Sequence, residues 1–314
     1  MQKYSAFGLI FESEINLTSQ QVITNQQQAD VSIVCGAVSS DGIDNPSFSR
    51  VLAQANDKQV WICVPNVARF LISDGNKIVV DLLNADDLDT VSLYLMGSCI
   101  GAIIHQRGML ALHASAVDVN GQAVLFVGHS GMGKSTTAAI FHQRGYPVIS
   151  DDTVAIDANG GIAGGFPQIK LWDKALARLD IEKTGLSQIR CQIDKFRLPI
   201  PEYSGDADAI AAIYSLNSHN SVEEGEFEFT RLEGLAKFGQ LRKHTYRARI
   251  MDGVGGQQGH LALCSSLAKS TPITKIVRSP KGFNAIELVD RVLLDLQDPS
   301  QVKPSDAFTG TSEH

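Results

Sequence analysis

Residues 128–135 read Gly-His-Ser-Gly-Met-Gly-Lys-Ser, a complete G-x-x-x-x-G-K-[ST] string. Glycines at Gly128, Gly131 and Gly133 let the backbone turn tightly and bring its N–H groups against phosphate oxygens. Lys134 places a charge between the outer phosphates, and the Ser135 hydroxyl suits Mg²⁺. At average composition the four fixed positions coincide in about one chain of this length per hundred, so the flanks decide. Residues 123–127, Ala-Val-Leu-Phe-Val, follow Asn120-Gly121 and read as a buried strand. Residues 136–144 carry helix formers, with Ala138, Ala139 and Phe141 inward and Gly145 as the stop. A strand, a glycine loop and a helix, whose positive end faces the loop, make an anion site. Gly128, Ser130, Gly131, Met132, Gly133, Lys134, Ser135 and Thr136 are therefore the expected nucleotide-binding residues.

A second signal is Asp151-Asp152, closing the run Tyr146-Pro147-Val148-Ile149-Ser150. That run is expected to return as a strand beside residues 123–127, with its C-terminal end at the loop, where ligands gather in open α/β sheets. Successive strand side chains point to opposite faces. One carboxylate of the pair can then serve Mg²⁺ beside the Ser135 hydroxyl, while the other takes a proton from an attacking hydroxyl. His113 lies in the apolar run Leu110-Ala111-Leu112-His113-Ala114-Ser115-Ala116-Val117, and composition alone makes it a buried core residue.

In combination, residues 112–156 resemble the catalytic core of HPr kinase/phosphorylase, a family similar in fold to PEP carboxykinase. The resemblance rests on His113 in a Leu-His segment, the loop at 128–135, and Arg144-Gly145-Tyr146-Pro147-Val148-Ile149-Ser150-Asp151-Asp152 in matching register. It implies an α/β class with an HPr kinase/PEP carboxykinase-like P-loop core and a smaller β-rich N-terminal domain. It also implies ATP and Mg²⁺ as cofactors, a catalytic role for Lys134, Asp152 as the base and assistance in proton handling by His113, which leaves Asp151 to reach Mg²⁺ beside Ser135. The family's downstream L-E-x-R-G-x-G segment, linked to Mg²⁺ and phosphorylase chemistry, has no counterpart; the corresponding stretch is Gly164-Gly165-Phe166-Pro167-Gln168-Ile169-Lys170-Leu171-Trp172. Tyr4-Ser5-Ala6-Phe7-Gly8-Leu9-Ile10, Tyr94-Leu95-Met96-Gly97 and Gln106-Arg107-Gly108 look more like HPr-kinase-related kinases, including lasso-type precursor peptide kinases. A Ser kinase acting on a peptide or protein is the implied activity, with weak or absent reversal by phosphorolysis. The alternatives are a non-catalytic nucleotide-binding regulator and a kinase of an HPr-like phosphocarrier.

With 314 residues and 44% apolar content, the chain can bury one large core or two modest ones. A formal charge of −7 without a long basic run argues against nucleic acid as a partner. The five cysteines show no C-x-x-C pairing, so buried thiols in a reducing cytoplasm are expected. The opening residues have an interrupted apolar run, unlike a signal peptide. The apolar run 91–104 falls short of the roughly 20 residues of a membrane span and reads as a buried helix, so no membrane partner is expected. A homo-oligomer is compatible with these features.

Residues 1–107 are read as a β-rich domain ending in a helix, 108–298 as the P-loop core, and 299–314 as a disordered tail. Ile286, Val289, Leu293 and Leu296 recur at helical spacing over 284–297. The cationic stretch 242–249 alternates like a strand, and one of Arg247, Arg249 or Lys170 is expected to steady the transferring phosphate. Glu223-Glu224-Gly225-Glu226 reads as a solvated loop, and His260 and Trp172 as packing residues.

Overall fold

The computed structural model describes residues 1–17, 28–190, 193–200, 205–282 and 284–302. Eight strands come first: β1 (Gln2–Ala6), β2 (Leu9–Ser13), β3 (Val31–Cys35), β4 (Phe48–Arg50), β5 (Ala53–Ala55), β6 (Gln59–Val64), β7 (Ala68–Ser73) and β8 (Lys77–Leu82). They form one sheet in the order β1-β2-β3-β8-β7-β6-β5-β4. The turn between β7 and β8 holds Asp74 and Gly75 both at positive φ (51° and 66°), matching the right-handed twist of a tight hairpin.

Helix α1 (Leu88–Gln106) follows, its start capped by the Asp87 carboxylate, which accepts from the Thr90 N–H at 3.2 Å. It is 19 residues long and apolar enough by composition to cross a bilayer, yet 78% of its apolar window is buried inside the protein. Its middle, Leu95–Cys99, is π-helical. Its apolar face packs under the first sheet, where Val91, Leu95, Ile100 and Ile103 join Phe11, Phe70 and Ile72.

The remaining elements are β9 (Leu110–Leu112), β10 (Ala114–Val119), β11 (Gln122–Val127), α2 (Lys134–Gln143), β12 (Val148–Ser150), β13 (Val154–Ile156), β14 (Ile162–Ala163), β15 (Gln168–Trp172), α3 (Asp173–Arg178), β16 (Ser187–Gln188), β17 (Lys195–Pro199), β18 (Ile210–Ser218), β19 (Phe227–Arg231), α4 (Gly234–Lys243), α5 (Ala248–Gly253), α6 (Gln257–Ser270), β20 (Ile273–Arg278) and α7 (Ala285–Gln297). Six of them make the second sheet, ordered β12-β10-β11-β18-β20-β19, with β11, β18 and β20 parallel at its centre. The chain is a mixed α/β protein with its phosphate loop at the end of a central strand.

Because side chains alternate along β11, Val124 and Phe126 enter the core beneath α2 and α7, while Leu125 and Val127 enter the one beneath α4 and α6. The return strand β12 does not lie beside β11, as the sequence suggested; it pairs with β10. The Asn120-Gly121 turn (φ 56° and 81°) folds β10 back onto β11 as a tight hairpin, filling that edge first. Since β10 runs antiparallel to both, β12 still ends on the same side as the loop.

Other expectations shift too. Residues 242–249 are not a strand: α4 ends there, one bridge joins Thr245 to Leu112, and α5 begins. Along α7 the buried apolar positions are Leu288, Val289 and Val292, whereas Ile286 is exposed. Pro299–Gln301 form a 3-10 turn rather than the start of a disordered tail, and residues 303–314 lie outside the described residues, as does Cys191.

Candidate functional site

Two chain segments leave one sheet and enter another at the same level. Between β9 and β10 only His113 intervenes, and between β12 and β13 lie residues 151–153. Leu112 pairs with Val154 in the three-stranded sheet β14-β13-β9, while Ala116 pairs with Ser150 in the six-stranded one. His113 and Asp152 sit opposite one another in the gap between these ladders. Asp152 has φ 76°, the left-handed region that Asp tolerates better than most residues. The segment 244–246 is tied on from the side: the His113 N–H donates to the His244 carbonyl and the Tyr246 N–H to the Ala111 carbonyl, both at 2.8 Å.

The hydrogen bonds fix the state of His113. Nδ1 is 2.8 Å from the Asp152 carbonyl oxygen, which can only accept, and Nε2 is 3.1 Å from the Lys134 ammonium, which can only donate. The imidazole is therefore neutral with its proton on Nδ1. Burial and then the Lys134 charge push its pKa below the ordinary histidine value, against the pull of Asp152. Burial pushes the Asp152 carboxyl up, but the lysines beside it, Lys170 first and Lys195 after it, outweigh it and hold the group well below the usual carboxylate range. The dominant partner is Lys170, whose Nζ donates to Asp152 Oδ2 at 2.8 Å. Asp151 is oriented differently. Its Oδ1 accepts from the Ser115 hydroxyl at 2.6 Å and its Oδ2 from the Lys170 N–H at 2.8 Å, bracing β10 to β15.

In the loop, Gly133 takes φ 101° at the cap of α2, leaving the first helical N–H groups without a side-chain cap. At Gly128 an added Cβ would stand 2.7 Å from the Leu216 carbonyl oxygen, so the close approach of β18 requires glycine. Lys134 is buried and satisfies all three of its donors within the protein: the Gly128 carbonyl at 2.8 Å, the His129 carbonyl at 3.3 Å and His113 Nε2. Burial lowers its pKa, opposed by Asp151 and Asp152.

Two cavities meet at this point. A small one of about 100 Å³ is lined by Ser130, Gly131, Gly133, Lys134, Ser135 and Thr136 of the loop, with Lys170, Trp172 and Lys195 opposite. A larger one of about 570 Å³ runs from Gly128 and His129 towards α1, with Arg190, Lys243, Tyr246 and Arg247 in its wall. His113, Ser130 and Asp152 line both. Among the expected nucleotide-binding residues, Met132 instead packs its side chain on the core beneath α2, and Gly128 faces the larger cavity. Asp151 lines neither cavity. Of the three candidate cations, Lys170 reaches the centre, Arg247 lines the larger cavity, and Arg249 is exposed on α5 outside both.

Sequence reasoning missed Lys195 and assigned Trp172 to packing, although its side chain is exposed at the small cavity. It also missed Tyr246, whose ring lies 5.9 Å from His113 and whose pKa is raised by burial and by Asp152. His260 is indeed a packing residue, 2.7 Å from the buried Thr245 hydroxyl. Among the described residues, no group of three or more His, Cys, Asp or Glu forms a cage for a metal ion. The donor set fits a Mg²⁺ held by the Ser135 hydroxyl, nucleotide phosphates and water, which is how this ion is usually bound.

Comparison with known proteins matches the segment that carries the phosphate loop. Residues 108–170 match the family model for the HPr Serine kinase C-terminal domain. The HPr kinase/phosphorylase of Limosilactobacillus reuteri (strain DSM 20016) is 30% identical over 141 residues, covering 41% of this chain and 44% of that protein. That of Clostridium botulinum (strain Eklund 17B / Type B) is 43% identical over 61 residues, covering 19% of this chain and 20% of its own. The chain thus spans less than half the length of these curated relatives. A solved Hpr(Ser) kinase/phosphatase from Coxiella burnetii superposes with a TM-score of 0.32 at 10% identity, covering 60% of this chain and 95% of that one, too low to bear on the argument. The chain is HPr kinase-like in the segment that carries the site.

Proposed function

We propose that this protein is an ATP-dependent kinase that transfers the γ-phosphate to the hydroxyl of a Ser, or a similar residue, of a peptide or protein. The observation that carries the reading is the position of Asp152, an ionised carboxylate in the wall shared by the phosphate-loop cavity and the larger cavity. Phosphates entering the loop meet the N–H groups at the start of α2 and draw Lys134 off the Gly128 and His129 carbonyls. An acceptor hydroxyl reaches Asp152 from the larger cavity. As its oxygen bonds to the γ-phosphorus, the bond to the bridging oxygen breaks, ADP leaves, and the hydroxyl proton passes to the Asp152 carboxylate. In a loose transition state the proton leaves late, so a positioned acceptor suffices even with a weakly basic carboxylate.

Lys170 and Lys195 offset the negative charge that gathers there, and Lys134 steadies the outer phosphates. Once Lys134 turns to phosphate, His113 Nε2 is open to assist the proton's departure. Mg²⁺ would be held by Ser135, with Asp151 acting only through water because both its oxygens are already engaged; bound there, the ion would neutralise charge on the β- and γ-phosphates. The acceptor is a peptide or protein, a precursor peptide by the looser motifs of the N-terminal half. The names of the relatives favour a second reading, an HPr-like phosphocarrier.

Lys134→Ala removes the cation from the outer phosphates, so calorimetric titration should show weakened ATP binding and radiolabel transfer from [γ-³²P]ATP should vanish. Unchanged affinity and transfer would reduce the loop to a turn. Tight ATP binding by the wild type with no transfer to precursor peptides or phosphocarrier proteins would favour a nucleotide-binding regulator.

A further inference from the structure

We infer that Trp172 is the stacking surface for the nucleotide base, an assignment that rests on the phosphate-loop reading above. Of the two tryptophans, Trp61 is 4% exposed and donates its indole N–H to the Ser39 carbonyl at 2.9 Å, as a core residue does. Trp172, by contrast, is 46% exposed. Its position follows from strand alternation. Lys170 and Trp172 are two apart on β15 and share a face, and the Lys170 side chain reaches Asp152. Trp172 therefore stands about 7 Å further along the same face, away from the reacting centre, with Ser135 and Thr136 of the loop lining the same cavity.

Its neighbour across the ladder is Lys195, paired in register with Trp172 on β17, with Nζ 5.9 Å from the indole centroid. The cavity thus runs from three lysines around the phosphates to an open aromatic ring at its rim. A triphosphate whose outer phosphates lie at Lys134 and Lys170 must carry its base outward along the cavity. An exposed indole is the surface that would hold it, because every base has a π-face and stacking needs no hydrogen-bonding pocket.

The test uses the full chain with Mg²⁺ and two probes, ATP and inorganic tripolyphosphate, followed by calorimetry and by tryptophan emission. ATP should quench the emission and tripolyphosphate should not, and Trp172→Phe, which leaves only Trp61, should give no response to ATP. Trp172→Ala should weaken ATP binding about 5- to 150-fold, the range for loss of one stacked base. Its tripolyphosphate affinity should stay at the wild-type value, which also shows that the variant is folded. Phenylalanine should restore most of the ATP affinity. Equal ATP affinity in Trp172→Ala and wild type, or equal losses for both probes, would overturn the assignment while the phosphate loop stands. If wild type bound neither probe, the phosphate-loop reading would fall and this inference with it.

Discussion

Asp152 combines three constraints that seldom meet in one residue: a left-handed backbone, a buried lysine partner and a place in the wall of two cavities. Asparagine keeps the left-handed preference and an oxygen for Lys170, so Asp152→Asn removes the proton-accepting charge, and with it the ion pair to Lys170, without disturbing the turn. Loss of a general base costs about 10²–10⁴-fold in rate. Transfer should fall by that order while ATP affinity stays near wild type, and transfer at the wild-type rate would make the carboxylate structural. A second expectation concerns pH. Lys170 holds Asp152 below the usual carboxylate range, so an acid limb in kcat/KM near the histidine range is expected from another group, and His113 is the neighbour placed to supply it. Its folded pKa is lowered, so the protein binds fewer protons than the unfolded chain between that value and the ordinary histidine pKa of about 6.5, and stability rises with pH across that window. Protonation would set a cation against Lys134. Activity should fall as pH drops below the ordinary histidine range, and the limb should vanish in His113→Gln. A limb that persists unchanged in that variant would assign it to another group.

At the scale of elements, the π-helical turn of α1 is where the first sheet's helix touches the site. A Cβ on Gly101 would lie 2.9 Å from two carbons of the Tyr246 ring, and one on Gly97 would lie 3.1 Å from its hydroxyl. The two glycines form a notch for the ring that then lies beside His113, and π-bulges often mark functional sites. Overpacking of this kind costs about 1–3 kcal/mol. Gly101→Ala should lower the urea midpoint accordingly and raise the KM for acceptor, since Tyr246 walls the larger cavity. Lower stability with an unchanged acceptor KM would confine the notch to packing. The notch also shows what sequence could and could not give. The strand, loop and α2 were legible because each depends on residues within a few positions. The opposition of His113 and Asp152, 39 residues apart, depends on two segments changing sheets at one level, which no local pattern encodes. Likewise, the alternation in 242–249 resembled a strand, but α4 and α5 extend into it and leave only the bridge at Thr245.

For the whole molecule, packing crosses the division that the sequence suggested at residue 107. The core beneath the first sheet includes Ala111, Ala155, Phe166 and Ile250 from the later part of the chain. Backbone bonds do the same: Phe7 N–H donates to the Gly164 carbonyl at 2.6 Å, and the Ser47 hydroxyl to that of Gly253 at 2.6 Å. We therefore propose that the two parts, whatever their separate outlines, unfold together. Trp61 on β6 reports the first sheet in a Trp172→Phe background, whereas far-UV ellipticity is weighted to the helices, most of which lie beyond residue 107. Urea midpoints from the two signals should coincide, as in a two-state transition. The stronger test adds ATP, the ligand of the proposed function, since a ligand that binds only the folded form stabilises it by about 2.7 kcal/mol at a hundredfold excess over Kd. If the parts are one cooperative unit, the Trp61 midpoint shifts with the ellipticity midpoint, although Trp61 lies in neither cavity at the site. A shift confined to ellipticity would show that the first sheet unfolds on its own, and that the contacts through α1 position the site without sharing its stability.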